Sequence, residues 1–125
     1  MNKLFFLFFP LFLFAEIFFP YTLKLKKDEV FPLSVYYQGR TYHLKLRWTL
    51  YKNGVLTLLY RYDNFPHQIT LFKSYQKNSF RIDIAKYPEF NPYFLIEFID
   101  FNDKIATFKM YLFNGKEVNV EKGIK

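Results

Sequence analysis

The chain has 125 residues, enough for a single domain. It is 51% hydrophobic and 24% aromatic, so it can fill a core, which excludes a disordered chain. Its formal charge is +7, which favours anionic partners, and it has no Cys, which excludes disulfides, thiolate nucleophiles and Cys-ligated metals. Phe, Tyr, Lys, Asn and Ile are common while Ala and Gly are scarce, a bias that AT-rich coding alone produces. The aromatic richness is therefore not read as a functional signal.

Residues 1–15, MNKLFFLFFPLFLFA, have the layout of a secretory signal peptide. Lys3 is the positive start, Leu4 to Phe14 the short apolar run, and Ala15 the expected cleavage position. Pro10 lies inside the run and Glu16 ends it, short of the ~20 apolar residues of a spanning helix. The alternative is an uncleaved anchor reaching through Ile17-Phe18-Phe19. The expected organisation is a cleaved signal helix over residues 1–15 and one all-β domain over residues 16–125, exported to a periplasmic or extracellular space.

Tyr21 to Lys27 alternates Leu23 and Leu25 with Lys24 and Lys26, and reads as a strand. Val30 to Gln38 is a second strand, and Pro32 sets its start near an edge. A Gly39-Arg40 turn pairs Tyr37 with Tyr42, Val35 with Leu44 and Leu33 with Leu46.

Arg40 to Tyr62 is two alternating runs hinged at Asn53-Gly54, a strong hairpin signal. A two-residue turn at Asn53-Gly54 would pair Trp48 with Leu59 and Leu46 with Arg61, putting the two apolar sets on opposite faces. A three-residue loop, Lys52-Asn53-Gly54, brings them together as Leu50/Leu56, Trp48/Leu58, Leu46/Tyr60 and Leu44/Tyr62. The other face then holds Thr49/Thr57, Arg47/Leu59 and Lys45/Arg61.

Asp63 to His67 reads as a loop, and residues 69–75 and 80–85 as a hairpin around Lys77-Asn78. Lys86 to Pro92 is a loop with two prolines. The same three-residue logic at Asn102-Asp103-Lys104 pairs Phe98/Phe108, Ile96/Met110 and Phe94/Leu112, with Glu97 opposite Lys109. A loop at Phe113-Asn114-Gly115 pairs Met110 with Val118 and Phe108 with Val120. The fold class expected is all-β: an antiparallel meander of eight or nine short strands, as a closed barrel or a two-sheet sandwich.

The candidate binding residues are Lys45, Arg47 and Arg61, with Tyr51 beside them and Tyr36 within reach. Cations interleaved with aromatics suit anionic glycan, lipid headgroup or nucleic acid. Export argues against nucleic acid, and the membrane would be met only through an uncleaved N-terminus. An exposed apolar patch of Leu59, Tyr51 and Phe72 would mark a protein partner. His43 and His67 are too few for a metal site, so no metal or cofactor is expected. Ser34, Ser74 and Ser79 carry no nucleophile context, and Asp83, Glu97 and Asp100 no paired-carboxylate spacing. Asp100 is the odd residue, an acid on the apolar face beside Phe98. Phe90 and Tyr93 offer an aromatic loop that suits recognition or capping of the core. The reading is a non-enzymatic exported domain that binds a protein or an anionic envelope component. The alternative is a carrier barrel for a small apolar ligand, its pocket ringed by Trp48 and Phe98.

Overall fold

The computed structural model describes residues 16–73, 77–85 and 91–123. The expected signal helix over residues 1–15, Ser74 and Phe90 lie outside the described residues.

Nine antiparallel strands form two sheets, and no helix is present among the described residues. The strands are β1 (Tyr21–Lys26), β2 (Phe31–Tyr37), β3 (Arg40–Lys52), β4 (Val55–Tyr62), β5 (Phe65–Phe72), β6 (Ser79–Asp83), β7 (Tyr93–Asn102), β8 (Ile105–Phe113) and β9 (Val118–Lys122). One sheet has the order β1-β8-β7-β6, the other β5-β4-β3-β2-β9. The sheets do not close into a barrel. They share one core, with Phe94, Phe98, Leu44, Leu56, Ile96 and Met110 fully buried. Rings cross between them: Tyr60 meets Phe80 at 5.3 Å, and Tyr21 meets Phe31 at 5.8 Å.

The β3–β4 hairpin corrects the expected turn. Lys52 pairs with Val55, so the turn is the two residues Asn53 and Gly54, with φ of 54° and 81°. Both angles suit the left-handed two-residue hairpin turn, where Asn and Gly are the cheapest residues. The phase is corrected further down the strand, by a β-bulge between Trp48 and Leu50 that leaves Thr49 unpaired. Beyond the bulge the expected pairs stand: Trp48/Leu58, Leu46/Tyr60, Leu44/Tyr62, Arg47/Leu59 and Lys45/Arg61. On the turn side they do not. Leu50 pairs with Thr57 and is 56% exposed, while Tyr51 pairs with Leu56 and turns inward.

The β7–β8 hairpin repeats the device. Asp103 and Lys104 form the turn, with φ of 53° and 65°, and the bulge falls between Phe98 and Asp100, at Ile99. Phe98/Phe108, Ile96/Met110, Phe94/Leu112 and Glu97/Lys109 pair as expected, and Phe101 turns inward opposite Ala106. Asp100 is thereby moved off the apolar face. Its carboxylate accepts the Phe101 N–H at 2.9 Å and meets Lys73 Nζ at 2.9 Å.

The two hairpins face each other with matching contacts. Tyr51 stacks on Phe101 at 3.8 Å. Tyr51 meets Phe98 edge-on at 6.0 Å, and Phe101 meets Trp48 edge-on at 5.3 Å. Since Trp48 and Tyr51 occupy in one hairpin the places of Phe98 and Phe101 in the other, these contacts relate the hairpins as a pseudo-twofold pair. Trp48 Nε1–H donates to the Leu25 carbonyl at 2.8 Å, tying β3 of one sheet to β1 of the other. Trp48 and Phe98 therefore belong to filled interior, with exposures of 3% and 0%, and do not ring a ligand cavity.

Strand order departs from a meander at three places. β1 pairs with β8, not with β2. β5 pairs with β4, and β6 with β7, so the expected hairpin around Lys77-Asn78 is a crossing between sheets. β9 pairs with β2 rather than β8, so Asn114-Gly115 redirects the chain to the other sheet. Two turns also shift. Gln38-Gly39 replaces Gly39-Arg40, giving Leu33/Leu44 and Phe31/Leu46 with the same face buried. Asp63-Asn64 is a tight turn, so Phe65, Pro66 and His67 are strand. Pro66 is accommodated because β5 is an edge strand.

Candidate functional site

In an antiparallel sheet, directly opposed residues share a face. The outer face of the five-stranded sheet is therefore read by rows. One row runs Pro32, Lys45, Arg61, Pro66 across β2, β3, β4 and β5. The next runs Arg47, Leu59, Gln68. A third runs Glu121, Ser34, His43 across β9, β2 and β3.

Lys45, Arg47 and Arg61 are all exposed, and the structure brings them together as expected. Lys45 and Arg61 form a ridge between two shallow depressions. One, of about 470 Å³, is lined by Arg47, Leu59, Pro66 and Gln68. The other, of about 520 Å³, is lined by Ser34, Tyr36, His43, Asn64 and Glu121. Among the described residues the ion pairs are Lys73–Asp100 and Arg81–Asp83, so none of the three ridge cations has a carboxylate partner. Glu121, the acid of the second depression, accepts the Tyr36 hydroxyl at 3.2 Å. Like charges opposed across strands cost up to about 1 kcal/mol. No ion pair among the described residues offsets that cost.

Tyr51 is not part of this face. The Thr49 bulge turns it to the opposite side of the sheet, where its ring packs on Phe101 and Phe98. The expected patch loses Tyr51, which lies inside; Leu59 and Phe72 stay half-buried on the outer side, where the bulge adds exposed Leu50 opposite Thr57. The large apolar residues that are exposed, such as Phe18, Phe65, Leu50 and Phe113, are spread over the strands of both sheets and the N-terminal segment.

The histidines lie on opposite faces. His43 is on the outer face, and His67 stacks on Tyr60 at 4.7 Å on the inner face of β5. Among the described residues no group of three or more His, Asp or Glu side chains is placed to hold a metal. The register does set Ser34 beside His43. No hydrogen bond joins the two, and Asp63, the acid next to His43, accepts its main-chain N–H at 3.0 Å. A nucleophile needs a base in contact and an acid holding that base, and this row supplies neither.

One feature escaped the sequence reading. At the β5 end of the sandwich a cleft of about 680 Å³ opens between the sheets. Tyr42, Tyr60, Tyr62, Phe65 and His67 line one wall and Arg81 to Ala85 the other, with Arg40 at the rim. The Tyr62 hydroxyl donates to the Ile84 carbonyl at 2.6 Å, bridging the walls. Burial, then the Asp63 carboxylate, pushes the Tyr62 phenol well above its ordinary value. Burial also raises the Tyr60 phenol. Only the alternation of Tyr60 and Tyr62 was visible beforehand, and alternation cannot show that their side of the sandwich stays partly open.

No protein-family model, curated protein or solved structure matches this chain.

Proposed function

We propose that this chain is a small exported, non-enzymatic β-sandwich domain that binds an anionic component of the cell envelope through the outer face of its five-stranded sheet. The observation that carries the reading is the Lys45–Arg61 pair: two cations held directly opposite each other, flanked by Arg47, with no carboxylate on any of them among the described residues. An anion laid across the ridge removes the repulsion and gains charge-assisted hydrogen bonds from both sides. The scatter of exposed apolar residues favours charge over an apolar protein interface. The export expected from residues 1–15 places the domain where anionic lipid headgroups and glycans are met.

The test is co-sedimentation of the protein with vesicles containing anionic phospholipid, against zwitterionic vesicles. A basic side chain near an anionic surface contributes about 1 kcal/mol. Losing two cations in Lys45→Glu/Arg61→Glu therefore predicts at least a ~30-fold fall in partitioning. Binding should also weaken with salt, because exposed charges are screened. Equal partitioning of the variant, or equal binding to zwitterionic vesicles, would sink the proposal.

A further inference from the structure

We infer that the cleft under the β5 end of the sandwich is a binding site for a carboxylate-bearing pyranose, one unit of an acidic oligosaccharide. The cleft arises from a mismatch in strand number. A five-stranded sheet packs on a four-stranded one, and β6, the edge of the smaller sheet, lies against β4, where Phe80 meets Tyr60. β5 is left overhanging. Its inward positions lose cover along the strand: Leu71 is buried, Ile69 half-buried, His67 exposed and Phe65 70% exposed.

Three half-buried tyrosine rings and exposed His67 are held in place beside Phe65. Tyr42 and Tyr62 are stacked at 5.8 Å and 12°, and Tyr60 and His67 at 4.7 Å and 17°. The Tyr62 hydroxyl is anchored on Ile84. Flat rings held by a sheet offer contact area at little entropic cost on binding. The volume lies within the ~300–1,000 Å³ of small-molecule sites.

The charges select the ligand. Asp83 is engaged by Arg81 Nε at 2.7 Å; Asp63, which also lines the cleft, accepts the neutral His43 main-chain N–H and keeps its charge. Arg40 has no carboxylate partner among the described residues; its guanidinium lies 5.4 Å from the Tyr42 ring. The cleft thus presents aromatic platforms beside one uncommitted guanidinium. An apolar ligand would leave that guanidinium unused, and a neutral sugar would meet it only through uncharged hydroxyl acceptors. A pyranose with a carboxylate uses both, its apolar ring face on the aromatics and its carboxylate bidentate on Arg40.

The site is on the inner side of β5, away from the Lys45–Arg61 ridge, and does not depend on it. The test is titration calorimetry of the full chain with a hexuronate tetramer and with a neutral hexose tetramer of the same linkage. Phe65→Ala and Arg40→Gln change exposed side chains and should keep the fold, which far-UV circular dichroism checks. The expected result is saturable hexuronate binding, weakened about tenfold or more by either variant, as loss of a bidentate charged contact implies. Binding should be weaker for the neutral tetramer and unchanged in Lys45→Glu/Arg61→Glu. Absence of hexuronate binding, equal affinity for the neutral tetramer, or indifference to both cleft variants overturns the inference. So does loss of hexuronate binding in the ridge variant alone, which would place the anion on the outer face.

Discussion

Replacing Trp48 with Phe should cost this protein a large share of its stability, for two separable reasons. The indole N–H bonds the Leu25 carbonyl at 2.8 Å, a buried hydrogen bond between strands of different sheets. Removing the donor leaves a buried carbonyl short of a partner, at about 1–3 kcal/mol. The smaller ring also leaves a void against Phe101, which meets the indole edge-on at 5.3 Å. Partial loss of a fully packed ring adds roughly 1 kcal/mol, a fraction of the ~3–5 kcal/mol for truncating it to Ala. The expected total is about 2–4 kcal/mol. Urea titration followed by far-UV circular dichroism measures it. With a slope of ~1–3 kcal/mol/M for a small domain, the midpoint should fall by roughly 1–3 M. A loss below about 1 kcal/mol would refute the reasoning, because a buried inter-sheet bond cannot be removed for less.

Further predictions concern the turn and the cleft. Lys104 adopts φ of 65° in a turn whose counterpart carries Gly54. The left-handed conformation costs a side-chain-bearing residue about 1–2 kcal/mol. Lys104→Gly should therefore raise stability by roughly 0.5–1 kcal/mol after glycine's own entropy loss of similar size, read as an increased urea midpoint. No change or a decrease would show that the turn is relaxed as it stands. The Tyr62 phenol is raised above its ordinary value of 10.0 in the folded protein, by burial first and by Asp63 second. Its contribution to stability is complete below pH 10 and is lost as pH rises beyond it, because the unfolded chain gives up the proton first. Tyr62→Phe should therefore flatten the fall in stability above pH 10, measured by urea midpoints against pH; an unchanged slope would assign that fall to other groups.

The apolar alternation of Leu44, Leu46 and Trp48, and of Leu58, Tyr60 and Tyr62, was sufficient to identify the inner face. It also showed that one extra residue was needed between the runs to keep them in phase. It did not say where. An odd residue restores phase equally well in the turn or in the strand, and turn chemistry decides between them. Asn53-Gly54 fits a two-residue turn so well that the extra residue moved to Thr49, and Ile99 does the same in the partner hairpin. Tyr51 and Asp100 changed sides as a result, the first leaving the candidate site and the second leaving the core. The ridge of Lys45, Arg47 and Arg61 was legible because it lies beyond the bulge, where either placement gives the same pairs.

Strand neighbours were less legible than strand faces. Periodicity reports which side of a strand is buried, not which strand lies beside it. β6 and β9 alternate correctly and still join the sheet opposite the one expected. The aromatic cleft follows from that topology, since β5 overhangs only because the chain crosses after it. No local pattern in residues 60–67 distinguishes an overhang from a covered strand.

The bulge at Thr49 sets inside from outside for the whole hairpin, and thiol labelling tests it directly. The protein has no Cys, so a single introduced thiol reports alone. The thiol of Leu50→Cys should react with a soluble reagent at nearly the rate of the unfolded chain. That of Tyr51→Cys should react far more slowly until the protein is unfolded in urea. The opposite order, with the Leu50→Cys thiol protected and the Tyr51→Cys thiol reacting freely, would mean that the extra residue lies in the turn, and the assignment of faces near the turn would be wrong.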